Sequence, residues 1–434
     1  MLLVVVAMLS MLGIVALAID VITLYSARSE TQRAADAGAL AAAKMLVDMG
    51  VTTDPTATVP TAAQIDAATK AAQSAAVNLS IASRQIQPGD VTLNFPGQST
   101  PTFVVNPKVT VTVQDANLPT FFARIWTHAA LTVRASATAE GFNPSNTSIV
   151  PGPTGVPVVP RCVKPFIVPN CDPQHGGAGC GGTGDTFFDA VTGAIKNPGV
   201  APGGIIGEEF DMLSNCGPGP STCAPGAPTV GTGPGGNRTL YYYPAQMPAA
   251  TMSCPAGCTG GTNFEQEIEC CNPTPISCGT TATLPAVNQL SVDTTVFPEG
   301  GGIPARSGVE CLIHQTGGSG QDTLVSGPPL TYPLEIQVGN GHPLAGTVLS
   351  ANDLVTTSDS LVTIPVYDGA GTPGATVNII GFLQVFIDRA FPGGGGPKAG
   401  QFHVTVVNVA GCGSSATGTP VAGSTAVPVR LIQQ

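Results

Sequence analysis

The residue type with the most evident chemistry is cysteine, and its positions are unusual. All 12 cysteines lie beyond residue 161, in sequence rich in Gly and Pro. An even number of cysteines in such sequence, behind a hydrophobic start, is typical of disulfides formed in an oxidising compartment. Reduced core cysteines in a cytosolic protein are the alternative, and spacing alone does not define the pairing. The disulfide candidates are Cys162, Cys171, Cys180, Cys216, Cys223, Cys254, Cys258, Cys270, Cys271, Cys278, Cys311 and Cys412.

A zinc site is the other chemistry that clustered cysteines can support. The densest cluster runs from Cys254 to Cys278. Zinc needs four thiolate or imidazole ligands in tetrahedral geometry, and no His lies among these five cysteines. His175, between Cys171 and Cys180, is interpreted as a loop residue. We therefore predict disulfides here and no metal.

Two groups of carboxylates could bind calcium or exchange protons. Glu265, Glu267 and Glu269 alternate with period two, which predicts one face of a strand. Such crowding could hold calcium or raise a carboxyl pKa. No complementary Asp-x-Asp loop lies nearby, so a solvated strand face is favoured. Glu208 and Glu209 are neighbours and would point apart on a strand, which makes them a poor catalytic pair.

No motif for covalent catalysis accompanies these residues. The sequence around Ser319 lacks the Gly-x-Ser-x-Gly elbow, and the Gly-rich stretches lack the Lys-Ser/Thr of a phosphate loop. A net charge of −11 argues against nucleic acid, whose phosphates require a basic surface. We predict that the chain is not an enzyme and has no catalytic residue, cofactor, metal, nucleic-acid partner or small-molecule substrate.

The apolar segment at the N-terminus determines on which side of a membrane the cysteine-rich part lies. Residues 1–19 carry no charge. At about 1.5 Å per residue, a helix of this length nearly spans the ~30 Å hydrocarbon layer. The absence of a basic flank and of a turn-like cleavage site favours a transmembrane helix over a cleaved signal peptide, although Ala16 and Ala18 could mimic such a site. Arg28, Arg33 and Lys44 would be cytoplasmic by the positive-inside rule, but the cysteines require everything after Asp20 to lie outside.

The apolar run continues into an alanine-rich segment without Gly or Pro punctuation. We predict that one helix passes through both, with Asp20 and Tyr25 marking the membrane exit. Ala34, Gly38 and Ala42 recur every four residues and form a helix-packing face that lets another element approach closely. That face could pack on the chain's own domain or on other subunits.

Residues 20–44, DVITLYSARSETQRAADAGALAAAK, resemble the N-terminal signature of the Tad (Flp) pilus-assembly proteins of the TadE/TadG-like type. The matching features are Asp20, Val21, Tyr25, an Arg-rich turn, and the run RAADAGALAAA. The resemblance is closest over the first 50 residues and extends to about residue 142. The Asp-x-Ser-x-Ser metal site of many such proteins is absent from this sequence, so no metal site is carried over.

The resemblance implies a membrane-anchored structural or accessory component of a Tad/Flp-type pilus. Its partners would be the membrane and other pilus-assembly or pilin-like subunits, reached through the N-terminal helix. Its location would be the bacterial inner membrane, single-pass, with the bulk of the chain in the periplasm or at the cell surface. Type IV pilins that resemble this plan carry a glutamate early in the apolar helix. This chain has no acidic residue before Asp20, and the difference favours a minor or accessory role. The alternative is an anchored surface adhesion or ligand-binding protein.

The expected fold class is α+β, with a transmembrane helix (1–19), a pilin-like α/β module (20–142), a Pro/Ser-rich linker (143–160) and a cysteine-rich, mostly β domain (161–434). In the module, Thr61 and Gln64 predict a capping box that opens a second helix. Strands are predicted over 91–95, 102–105, 108–114 and 130–141, with a short helix from 118 or 119 that contains Phe121, Phe122 and Trp126. In the last domain, residues 361–367, 375–388 and 401–409 are predicted to form neighbouring antiparallel strands.

Overall fold

The structure is a computed structural model, and it divides the chain into two compact units. The first comprises Met1–Leu46, Thr58–Gly141 and Val429–Gln434, and the second comprises Val47–Ala57 and Phe142–Pro428. The structure describes residues 2–53, 59–118, 131–145, 156–175, 186–214, 230–232, 238–255, 257–258, 260–279, 288–293, 304–325, 335–347, 349–355, 357–369, 375–391, 401–417, 420–423 and 425–432.

Two long helices dominate the first unit. Helix α1 (Leu2–Asp48) is unbroken, so the predicted passage from the apolar run into the alanine-rich segment is confirmed. Helix α2 (Ala62–Val77) begins at the predicted capping box. The Gln64 amide donates to Thr61 Oγ1 at 3.3 Å, and the Thr61 amide donates to Gln64 Oε1 at 2.8 Å. These two bonds satisfy N–H groups that the first turn of a helix leaves without partners.

A four-stranded antiparallel sheet completes the first unit, in the order β19-β5-β4-β3. Strands β4 and β5 pair along most of their length, with Val109, Val111 and Val113 buried on one face. The strands of this unit are β1 (Ser80–Ile81), β2 (Arg84–Gln85), β3 (Val91–Asn94), β4 (Lys108–Leu118), β5 (Leu131–Gly141) and β19 (Val429–Ile432).

The strand predicted over 102–105 is wrong, because these residues form helix α3 (Pro101–Val105). Pro suits the first turn of a helix, where its missing N–H costs nothing. The Phe103 ring packs edge-on against Phe95, with 6.4 Å between ring centroids. The predicted helix with Phe121, Phe122 and Trp126 lies outside the described residues.

Strand β19 was not predicted, and it joins the end of the chain to the first unit. It pairs antiparallel with β5, and Arg430 Nε donates to Glu140 Oε1 at 2.6 Å. The division between the units falls at Gly141–Phe142, but the cysteine-rich unit ends at Pro428 and also takes in Val47–Ala57.

The second unit is built on strands, with two short helices, α4 (Asn263–Glu269) and α5 (Pro304–Leu312). Its strands are β6 (Val158–Pro160), β7 (Phe166–Pro169), β8 (Glu209–Ser214), β9 (Val230–Thr232), β10 (Arg238–Gln246), β11 (Gln289–Val292), β12 (Thr323–Leu324), β13 (Ile336–Gln337), β14 (Leu354–Val355), β15 (Leu361–Tyr367), β16 (Thr376–Ala390), β17 (Phe402–Gly411) and β18 (Val421–Gly423).

Six of these strands close into a ring. The order is β10-β7-β15-β16-β17-β8, and β8 pairs again with β10. The pairs β7–β15 and β8–β10 are parallel, and the other four are antiparallel. The predicted neighbours β15, β16 and β17 are confirmed. Phe166, Tyr242 and Phe402 pack together in the core, with ring centroids 4.9 to 5.9 Å apart.

The ends of the predicted linker are structured. Asn143 is buried and its Nδ2 donates to the Val409 carbonyl at 2.9 Å, while the Gly411 amide donates to Ser145 Oγ at 2.6 Å. At the other end, β6 pairs with β18. Residues 146–155, between these ends, lie outside the described part of the chain.

Disulfides hold the second unit together, as predicted. Four described pairs are Cys162–Cys271, Cys254–Cys270, Cys258–Cys311 and Cys278–Cys412. Cys171 is also disulfide-bonded. Cys180, Cys216 and Cys223 lie outside the described residues. The α+β fold class, with an apolar N-terminal helix and a disulfide-bonded β unit, is confirmed.

Candidate functional site

The most distinctive surface of the chain is the first half of helix α1, where large apolar side chains face outward. Monomeric soluble proteins rarely expose contiguous apolar surface of this kind. Among the described residues, one helix is long and apolar enough to cross a membrane, and it is this one. We call this set the outer apolar surface: Val4, Met8, Met11, Leu12, Ile14, Val15, Leu17, Ile19, Val21, Ile22 and Leu24.

The outer apolar surface continues past Asp20. Val21, Ile22 and Leu24 are exposed, Tyr25 is 78% exposed, and Asp20 is only 9% exposed. Beyond Tyr25 the exposed side chains of α1 are polar. The two residues predicted to mark the membrane exit therefore differ in position: the change from apolar to polar surface lies beside Tyr25, and Asp20 lies on the buried side of the helix.

The predicted helix-packing face is buried in the chain's own first unit. Ala34 and Ala42 are fully buried. A Cβ built on Gly38 would lie 3.2 Å from Val111 Cγ1 and 3.3 Å from the Ala72 carbonyl oxygen. Small residues on α1 thus allow α2 and β4 to approach it closely. Of the two arrangements that the sequence left open, packing on the chain's own domain is the one seen.

Polar residues of α1 beyond Tyr25 fix the helix to the rest of the first unit. Glu30 Oε2 accepts a hydrogen bond from the Ala82 amide at 2.7 Å, and Gln32 Nε2 donates to the Ser136 carbonyl of β5 at 3.3 Å. The second half of α1 is therefore a structural part of this unit, and the first half is the part with uncovered apolar surface.

In the second unit, the carboxylates of FEQEIECC do not lie on a strand. Residues 263–269 form helix α4, so the strand prediction is wrong. The Thr262 hydroxyl caps this helix by accepting from the Glu265 amide at 3.2 Å. On a helix, Glu265 and Glu269 lie one turn apart on the same face, and Glu267 points away from them. Glu265 and Glu269 accept hydrogen bonds from the Gly261 and Gly260 amides at 2.9 and 2.8 Å, respectively.

A cavity of about 440 Å³ lies beside the Cys162–Cys271 disulfide, lined in part by Lys164 and Asp359. Lys164 is buried, and its Nζ donates to the Ile268 and Cys270 carbonyls at 2.6 and 2.9 Å. Burial lowers the pKa of Lys164 to about 8, although Asp359 and Glu269 oppose the shift. This cavity was not predicted, because its residues are scattered along the sequence.

A second unpredicted cluster joins Asp172, His175 and Glu208. One ligand atom from each lies within 4.8 Å of the others. His175 Nδ1 is 3.0 Å from Asp172 Oδ2 and 2.8 Å from Glu208 Oε1. Burial, then the charge of Asp172, raises the pKa of Glu208 to about 10. Glu208 is buried and Glu209 is exposed, so the prediction that they point apart is confirmed. The spacing of Asp172 and His175, three residues apart after a cysteine, was the available signal.

His403 of β17 forms ion pairs with two carboxylates of β8, Asp211 and Glu209. His403 Nδ1 lies 2.7 Å from Asp211 Oδ1, and Nε2 lies 3.8 Å from Glu209 Oε2. Burial alone would lower the pKa of His403, but hydrogen bonds to Asp211 and Glu209 outweigh it and raise the pKa to about 9. This pair links β17 to β8 within the ring.

The fold and the outer apolar surface define a class: chains in which one helix able to cross a membrane continues into a small α/β unit, followed by a disulfide-bonded β unit. Residues 1–45 match the model of the Tad family, described as "Putative Flp pilus-assembly TadE/G-like". The matched segment includes residues 20–44, which carry the resemblance, and it contains the whole outer apolar surface. No curated protein and no solved structure matches the chain.

Proposed function

We propose that this chain is a membrane-anchored structural or accessory component of a Tad/Flp-type pilus, with a minor pilin-like role. The observation that supports the proposal most directly is a coincidence of position. The family match covers residues 1–45, and the same segment carries apolar side chains that the first unit leaves uncovered.

The proposed mechanism is anchoring and helix packing. The face with Gly38 is already used within the first unit, so contacts with other subunits fall to the outer apolar surface. In lipid, packing and interhelical contacts drive helix association, since tails and side chains are equally apolar. Residues 4–24 would contact lipid in one state and the apolar helices of neighbouring subunits in the other.

The second unit is proposed to lie outside the cytoplasm, in the periplasm or at the surface of a bacterial cell. Its disulfides support this location, because they persist in oxidising compartments and are rare in the cytosol. We propose that it acts through its surfaces and performs no covalent catalysis.

Replacing the first half of α1 tests this function. Residues 1–25 would be exchanged for an unrelated transmembrane helix of equal length, with the native helix kept from Ser26. We expect normal abundance in the membrane and loss of pili, because an anchor is retained and the outer apolar surface is replaced. A matched control replaces the same residues with their own sequence carried on a recoded gene. Normal piliation of the exchanged protein would contradict the proposal.

The second candidate function, an anchored surface adhesion or ligand-binding protein, is favoured by the cavity beside Lys164. A buried cation next to Asp359 in a cavity of about 440 Å³ provides polar groups that could orient a ligand. That function predicts that pili form without the native anchor. It also predicts that Lys164→Met abolishes attachment to a surface while the protein stays abundant.

A further inference from the structure

The cluster of Asp172, His175 and Glu208 contains a buried carboxylate that no hydrogen-bond donor among the described residues satisfies. Glu208 is 3% exposed, and neither of its carboxylate oxygens accepts a hydrogen bond among the described residues. Oε1 does lie 2.8 Å from His175 Nδ1, but that nitrogen carries at most one proton, and its hydrogen bond goes to Asp172 Oδ2. Burying an ionised carboxylate without a hydrogen-bond donor is costly, so this position needs either a proton or a bound cation.

The occupant must carry positive charge. Asp172 is fully buried, and the two carboxylates converge on the same histidine nitrogen. Two carboxylates in contact away from water are not both ionised unless a cation lies between them. In the part of the chain that the structure describes, no Lys or Arg forms an ion pair with either one.

The three side chains present a suitable ligand set. An imidazole nitrogen and two carboxylate oxygens are ligands for zinc, whose bonds to N and O are about 2.0–2.2 Å long. In a tetrahedral site such bonds place neighbouring ligand atoms about 3.3 Å apart. The distances of 2.8 and 3.0 Å from His175 Nδ1 are close to that value and require only small movements.

Asp172 is also oriented as metal ligands usually are. The backbone amides of Gln174 and His175 donate to its Oδ1 at 3.0 and 3.1 Å, and Asn197 Nδ2 donates to its Oδ2 at 2.9 Å. Such outer contacts fix a ligating carboxylate in one orientation before the ion arrives.

We propose that Asp172, His175 and Glu208 form a site for a first-row divalent transition-metal cation, represented by Zn²⁺. The ion binds His175 through Nδ1 and neutralises both carboxylates. It ties the loop that follows β7 to the residue that precedes β8. Its role is structural, because it connects two segments of the second unit.

The test uses the full chain, purified in detergent through a histidine-free tag without chelators. Elemental analysis and calorimetric titration with Zn²⁺ would be performed on the wild type, His175→Ala and Glu208→Gln. The expected result is one Zn²⁺ per chain for the wild type, and roughly 100-fold or greater loss of affinity in each variant. Glu209→Gln is the matched control, because its carboxylate lies 3.8 Å from His403 Nε2 and is not part of the cluster, so its loss leaves Zn²⁺ binding unchanged.

Thermal unfolding gives a second, independent measurement. Added Zn²⁺ raises the unfolding temperature of the wild type and of Glu209→Gln, and it has no effect on Glu208→Gln. Two results would overturn the proposal. One is absence of stoichiometric metal and of any Zn²⁺-dependent shift in the wild type, which would mean that a proton neutralises the carboxylate pair. The other is equal Zn²⁺ binding by the wild type and Glu208→Gln, which would place the bound ion elsewhere.

Discussion

Gly38 of α1 lies directly against Ala72 of α2. A Cβ on Gly38 would be 3.3 Å from the Ala72 carbonyl oxygen and 3.8 Å from the Ala72 Cβ. The alanine-rich segment is therefore an internal packing surface, and the two halves of α1 have different tasks. The second half holds the first unit together, and the first half presents apolar surface outward.

Substituting leucine for Gly38 should destabilise the first unit. Inserting bulk into a closely packed contact costs about 1–3 kcal/mol, since neighbouring backbone has to move. The measurement is the urea midpoint of the detergent-solubilised chain. Gly13→Leu is the matched control on the same helix, because nothing lies within 4 Å of the Cβ position there. Equal midpoints for the two variants would mean that Gly38 is not tightly packed.

A lysine at Leu12 should weaken membrane insertion. Leu12 is 64% exposed on the outer apolar surface. A charged residue near the centre of a spanning helix costs about 2.5–3.5 kcal/mol. Fractionation of cells would show Leu12→Lys shifted out of the membrane or degraded. Ser29→Lys, on the exposed polar part of α1, should remain in the membrane. If this variant also left the membrane, the membrane-facing part of α1 would extend beyond Tyr25.

Removing the disulfide that closes the longer loop should destabilise the second unit more, because the entropic stabilisation grows with the logarithm of loop length. Cys278–Cys412 spans 134 residues, and Cys254–Cys270 spans 16. From the entropy of the unfolded chain, replacing both cysteines by serine should cost about 5 kcal/mol for the long loop and about 3 kcal/mol for the short one. Denaturant titration of the two double variants gives the comparison. A larger loss for the short loop would show that its local contacts outweigh chain entropy.

Stability should depend on pH through His403. Its pKa is raised to about 9, above the ordinary value of 6.5, so its charged form stabilises the folded state. The contribution is fully present below pH 6.5 and is lost as the pH rises through 9. It amounts to about 3 kcal/mol. Because other buried groups titrate nearby, the quantity to measure is the difference in unfolding free energy between the wild type and His403→Gln. A difference that stays constant from pH 6 to pH 9.5 would contradict this assignment.

Local patterns in the sequence predicted the parts of the fold that depend on local physics. The continuity of α1, the capping box at Thr61 and the alternating strand at 108–114 all follow from neighbouring residues. The cysteines predicted disulfides correctly, but the pairing Cys278–Cys412 depends on the closed ring of strands, which no local pattern encodes. The family resemblance added the pilus hypothesis, which composition alone could not supply.

The sequence predictions were wrong where a short segment is compatible with both a helix and a strand. FEQEIEC alternates like a strand, yet Thr262 caps it as a helix and the disulfides at Cys258 and Cys270 hold it in place. Strand β19 is too short for its period to be recognised. The cluster around Glu208 was missed because its third member lies 33 residues beyond His175, and only the ring brings them together.

Cross-linking in living cells tests directly whether the outer apolar surface contacts other pilus subunits. A photoreactive amino acid would be placed at Leu17 or Ile22 on the outer apolar surface, with Ser74 on the exposed side of α2 as the control position. We expect covalent adducts with pilus subunits from Leu17 and Ile22 and none from Ser74. Piliated cells in which neither surface position forms a protein adduct would contradict this expectation.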